Sequence, residues 1–227
     1  MIISHRHKFA YFRVPKTGSS TVEIVLRMSG AFDSNDTCTE HVAIGLPNHN
    51  IPDALAKKLA GTGLLAHMTP ASAIEYGLIT EQQLLEYTCV ATIRKPASRW
   101  RSILGHLGLR SPADSIKILE SKAPLGEAVL EIPQSDYFIY KNQLVCEPLW
   151  FDQLDDEIKK LISKLGANPL DDVPKLNENK HKDNNIPLSE FIPERLRPKF
   201  KARFKEDLKL YKRLLEHRET LNKQDNG

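Results

Sequence analysis

Three side chains that can handle an anion or a proton stand where an apolar run gives way to a turn: Lys16, His67 and Arg94. Lys16 follows the aromatic run Phe9 to Val14, which breaks at Pro15 and turns through Gly18. Thr17, Ser19, Ser20 and Thr21 surround it with hydroxyls. The spacing predicts a helix over 20–28, with Ser19 or Ser20 as N-cap and Glu23 in capping-box register to Ser20. A strand that enters a helix through such a turn aims backbone N–H groups and the positive end of the helix dipole at one point, which suits a phosphate-like anion. Arg94 ends the run Thr88 to Ile93 and opens Arg94-Lys-Pro-Ala-Ser-Arg-Trp-Arg-Ser102. There an arginine can grip an anion by two charge-assisted bonds and Ser102 by its hydroxyl, with Arg99 assisting. Lys180 and Lys182 of the polar loop 177–185 are further candidates. His67 lies between a predicted strand at 62–66 and a helix capped by Thr69, and an imidazole with its ordinary pKa of about 6.5 is a candidate general base.

Plainer readings stand beside these. The Lys16 segment alone also fits an ordinary serine-capped turn with a solvated lysine, the Arg94 segment a solvated basic helix face, and a lone histidine a structural role. A Walker A loop places glycine directly before Lys-Ser/Thr, whereas Pro15 precedes Lys16 here. His5 and His7 read as solvated, and Asp152, Asp155, Asp156 and Glu157 as a helix N-terminal charge cluster rather than a metal site. Gln134 and Asp136 are candidates for lining an acceptor site.

The elements that must position these groups alternate. Helices are predicted at 52–60, 70–76, 80–87, 97–104, 113–121 and 154–165, with a charged C-terminal helix at 193–221 whose apolar stripe runs through Phe200, Phe204, Leu208, Tyr211 and Leu215. Thr88 to Ile93 reads as a strand buried on both faces, Leu149 to Phe151 as a short strand, and 137–144 as ambiguous. The pattern predicts one α/β domain over 1–227, a central parallel sheet with helices on both faces and a ligand site at the strands' carboxyl ends. Residues 222–227 are expected to fray.

Composition narrows the class. The chain has 227 residues, 41% of them hydrophobic, a net charge of +3 and a pI near 8.6. That balance is too mild for general nucleic-acid binding and compatible with a local basic site. Cys38, Cys89 and Cys146 suggest neither a disulfide framework nor a zinc site. With no long apolar run, membrane insertion is not expected and a cytoplasmic location is.

The two anion motifs together resemble those of sulfotransferases that use 3′-phosphoadenosine 5′-phosphosulfate (PAPS). Pro15-Lys-Thr-Gly-Ser-Ser20 is similar to the loop that holds the 5′-phosphosulfate. Arg94, Pro96, Arg99 and Ser102 fall in register with the 3′-phosphate motif. The likeness to the carbohydrate branch, especially the uronosyl 2-O type and its bacterial relatives, extends through Leu149 to Leu154, the Leu176-Asn177 loop and Phe204 to Tyr211. It implies a P-loop-like architecture and Lys16 as a catalytic group. It also implies Lys16 to Thr21, Arg94, Arg99, Ser102, Lys180 and Lys182 as donor contacts, and His67 as general base. A saccharide or other hydroxyl compound would be the acceptor, 3′-phosphoadenosine 5′-phosphate (PAP) the product, and no metal is expected. The rival readings are an ATP-dependent nucleotide or small-molecule kinase and a non-catalytic nucleotide-binding module.

Overall fold

The computed structural model describes residues 1–39, 48–170, 172–174 and 186–224. Its centre is a mixed five-stranded sheet in the order β3-β1-β2-β4-β7, formed by β1 (Ile2–Ser4), β2 (Phe9–Phe12), β3 (Thr37–Cys38), β4 (Thr88–Ile93) and β7 (Glu147–Trp150). β2, β4 and β7 are parallel, with Phe9 opposite Thr88 and Val90 opposite Glu147. The expectation of a wholly parallel sheet is therefore corrected at one edge. Only residues 5–8 join β1 to β2, too few for a crossover, so β1 runs antiparallel to β2 and β3 pairs antiparallel with β1.

Burial on both faces explains the composition of the inner strands. Ala10 and Phe12 join Ala91, Ile93 and Trp150 on one face, while Phe9 and Tyr11 join Val90 and Leu149 on the other. The second face is covered by α1 (Ser19–Met28) and α8 (Leu154–Lys164), through Val22, Val25, Leu26, Ile158, Leu161 and Ile162. Against the first lie residues of α2 (Asp53–Leu59), α3 (Pro70–Glu75) and α4 (Glu81–Glu86). Thr69 and Thr80 start α3 and α4 with reciprocal capping boxes. A third apolar cluster centres on Trp100 of α5 (Pro96–His106). It includes residues of α6 (Pro112–Ser121), α7 (Ala128–Glu131), α9 (Leu188–Phe191) and α10 (Arg197–Arg203). Trp100 donates its indole N–H to Ser115 Oγ, which donates to the Phe191 carbonyl.

Three further expectations change. Residues 62–66 are turns rather than a strand, because Thr62 Oγ1 donates to the Leu59 carbonyl and accepts the Leu64 amide, bonds that hold the segment as a turn. The ambiguous segment 137–144 resolves into a hairpin of β5 (Ile139–Tyr140) and β6 (Gln143–Leu144), turned by Lys141 and Asn142 with φ 46° and 64°. The long C-terminal helix is broken at Phe204 into α10 and α11 (Lys205–Gln224). The break shifts the stripe: Asp207, Leu210 and Leu214 are buried, whereas Leu208, Tyr211 and Leu215 are only partly so. α11 extends to Gln224, and 225–227 lie outside the described residues. Among the described residues no helix is long and apolar enough to cross a membrane.

Candidate functional site

The Lys16 turn is shaped by backbone rather than by a side-chain cap. Lys16 and Gly18 both adopt left-handed conformations, with φ 64° and 84°, and Gly18 rather than Ser19 or Ser20 is the N-cap of α1. No side-chain cap hydrogen bond forms there. Glu23 is not a capping-box partner either. It is buried, ion-paired with Arg13 at 3.5 Å and with the Met1 ammonium at 3.6 Å, and burial raises its pKa against the pull of both charges. Arg13, the next-to-last residue before Pro15, also donates Nε–H to Ser19 Oγ at 3.3 Å. The first turn of α1 thus starts at a turn built from backbone, in which the Thr21 amide donates to the Gly18 carbonyl at 3.0 Å.

Gly18 has two reasons to be glycine. Its φ is left-handed, and a Cβ there would stand 2.9 Å from Leu154 Cδ2 and 3.1 Å from the Phe151 ring. Strain of about 1–2 kcal/mol for the backbone and about 1–3 kcal/mol for overpacking would add. Gly18→Ala is therefore expected to lose about 2–5 kcal/mol in chemical denaturation. A midpoint within error of the wild type would show that the turn is not fixed by this contact.

Arg94 meets this turn directly. It sits just beyond β4, as Lys16 sits just beyond β2, and these parallel strands are neighbours. Arg94 Nη1 donates to the Lys16 carbonyl at 3.1 Å, Nε donates to Ser98 Oγ at 3.0 Å, and the guanidinium lies over the Phe151 ring at 4.0 Å. Burial pushes the Arg94 pKa down to about 10. The Lys16 pKa is lowered as well, first by burial and then by the charge of Arg94. Among the described residues neither cation has a carboxylate within ion-pair distance. Glu127 attracts Lys16 only from beyond ion-pair distance, and two half-buried, mutually repelling cations with no closer counter-ion among the described residues are costly unless an anion completes them.

His67 is tied to the segment that leads into the Lys16 turn, by an unexpected route. No strand precedes it, yet its Nδ1 lies 2.8 Å from the Arg13 carbonyl, two residues before Pro15, and its own carbonyl accepts the Tyr137 hydroxyl at 3.0 Å. A carbonyl at Nδ1 requires the proton there, which makes Nε2 the lone-pair nitrogen of the neutral ring.

The other sequence candidates divide. Ser19 and Thr21 are buried at the first turn of α1, Ser20 and Ser102 are partly buried, and Ser102 lies on α5 beyond Arg94. Thr17 is fully buried and donates its hydroxyl to the Val14 carbonyl, so its side chain braces the turn instead of facing a ligand. Arg99 is corrected too. It is 1% exposed, with Nε on the Pro15 carbonyl, Nη1 on Asp207 and Nη2 on the Ile132 carbonyl, each at 3.1 Å. Its donors are committed within the protein. Gln134 is likewise buried against the Arg94 backbone rather than lining an acceptor site, while Asp136 is exposed. Lys180, Lys182 and the Leu176-Asn177 loop lie outside the described residues.

Arg13, Ser98, Phe151 and Asp207 were not singled out by sequence reasoning. Arg13 and Ser98 sit inside the two motifs, so proximity was the available signal; Asp207 lies within the Phe204 to Tyr211 likeness, which assigned it no role. Arg99 and Asp207 also line a cleft of about 230 Å³ with Leu125, Leu130 and Phe204, which includes none of Lys16, His67 and Arg94. Compared with family models, curated proteins and solved structures, the chain matches none of them.

Proposed function

We propose that this protein is a PAPS-dependent sulfotransferase that transfers a sulfuryl group to a hydroxyl of a saccharide or similar acceptor, on a P-loop-like nucleotide site. The observation that carries this reading is the contact between Arg94 and the Lys16 turn, which joins two cations that have no carboxylate within ion-pair distance among the described residues. A donor with anionic groups at its 5′ and 3′ positions supplies one counter-ion to each. The residues fit that group: the α1 amides, Ser20 and the Lys16 ammonium suit a phosphosulfate, and the Arg94 guanidinium with Ser102 suits the 3′-phosphate.

In this mechanism the acceptor oxygen forms a bond to sulfur in line with the bond from sulfur to the 5′-phosphate oxygen, which breaks. His67 Nε2 takes the hydroxyl proton, its ring held by the Nδ1–H bond to the Arg13 carbonyl. Lys16 and the first-turn amides stabilise the charge that builds on the leaving phosphate oxygen, and their fixed orientation requires no reorganisation. A sulfuryl group carries less charge than a phosphoryl group, so these donors suffice for it.

The test is thermal stabilisation by PAP, AMP, ADP and ATP, followed by transfer of labelled sulfuryl from PAPS to a panel of saccharides. PAP is expected to stabilise most. His67→Ala should keep the PAP shift and lose about 10²–10⁴-fold in transfer. Stabilisation by ATP with Mg²⁺ equal to that by PAP, accompanied by phosphoryl transfer, would replace the proposal with a kinase.

A further inference from the structure

The Asp207 carboxylate, in the first turn of α11, reaches both anion turns without touching either. Its Oδ2 accepts from Arg99 Nη1 at 3.1 Å, and Arg99 Nε donates to the carbonyl of Pro15, the residue before Lys16, at 3.1 Å. Its Oδ1 accepts the Gln134 amide at 2.6 Å, and Gln134 Nε2 lies 3.3 Å from Oδ2. The Gln134 side chain then brackets Arg94: Oε1 accepts the Arg94 amide and Nε2 donates to the Arg94 carbonyl, both at 3.0 Å. One arm therefore runs from Asp207 through Arg99 to the Lys16 turn, and the other through Gln134 to the Arg94 turn. Arg99, Gln134 and Asp207 are at most 1% exposed, so water does not compete for these bonds.

We infer that Asp207 is a positioning residue that fixes the separation of the Lys16 and Arg94 turns, and so sets the preference of the site for ligands with two anionic groups over ligands with one. The inference rests on the two-anion reading of the site. A ligand gripped at both ends gains from the second contact only while the span between the turns matches its own. A ligand gripped at one end does not sense that span. Loosening the tie therefore weakens doubly anionic ligands selectively, and misplacement by about 1 Å can cost about 10²-fold where geometry is the source of affinity.

The experiment measures PAP and AMP binding by calorimetry for the wild type, Asp207→Asn and Gln134→Leu. Asp207→Asn keeps the shape and removes the charge that holds Arg99. Gln134→Leu cuts the arm to Arg94 and leaves the Arg99–Asp207 pair. Both are expected to lose about tenfold or more for PAP and less than about threefold for AMP, whereas a purely structural role lowers the two affinities together. A wild type that does not prefer PAP overturns the two-anion reading, and the inference with it. A wild type that does, with both ratios unchanged or both ligands weakened equally, overturns only the positioning role. If Asp207→Asn does not fold, Gln134→Leu decides alone.

Discussion

Replacing Arg94 by alanine is expected to erase the preference for PAP over AMP while the fold persists. The guanidinium donates to Ser98 Oγ and the Lys16 carbonyl and stacks on Phe151, but no ion pair of the described residues depends on it. Its removal also relieves Lys16 of a like charge. A charge-assisted bond contributes about 1.5–3 kcal/mol, so losing the grip on the 3′-phosphate should weaken PAP by about 10- to 10²-fold. AMP, which lacks that phosphate, should change little. Isothermal titration of both ligands checks this, and an Arg94→Ala protein that still separates PAP from AMP by the wild-type margin places the 3′-phosphate elsewhere.

Arg99→Leu should produce the largest loss of stability. The variant leaves Asp207 buried without its counter-charge and leaves the Pro15 and Ile132 carbonyls without their donor. Breaking a buried pair from one side typically costs about 3–5 kcal/mol. The deficit should depend on pH with a definite sign. Burial already raises the Asp207 pKa, against the opposing pull of Arg99 and of the Gln134 hydrogen bonds. Without Arg99 it rises further, so the folded state binds a proton that the unfolded state releases. Stability of the variant then falls as pH rises from the ordinary carboxylate range towards the raised value, and the gap to the wild type narrows on acidification. Urea denaturation across pH measures both, and a pH-independent deficit would mean that Asp207 stays ionised without its partner.

Much of the site was legible because its signals are local. Pro15 and Gly18 mark one turn, Pro96 ends another, and the apolar runs before them are long enough to be strands buried on two faces. Thr69 and Thr80 announced their helices by side-chain chemistry that acts within four residues. The same local rules misled where something distant overrode them. Glu23 has capping-box spacing but answers to Arg13 and the Met1 ammonium, and Arg99 has the spacing of a ligand contact but answers to a carboxylate 108 residues away.

What the sequence by itself determined is the chemistry at the ends of β2 and β4: a lysine, an arginine, hydroxyls and two helix starts, each produced by neighbours along the chain. Only the tertiary structure decided that β2 and β4 lie side by side, that Arg94 bonds the Lys16 carbonyl, and that His67 reaches the Arg13 carbonyl from a segment that is not a strand. The reason is physical: caps and turns are fixed by bonds spanning a few residues, whereas the register of parallel strands and the buried polar tie form only when the whole core closes over them.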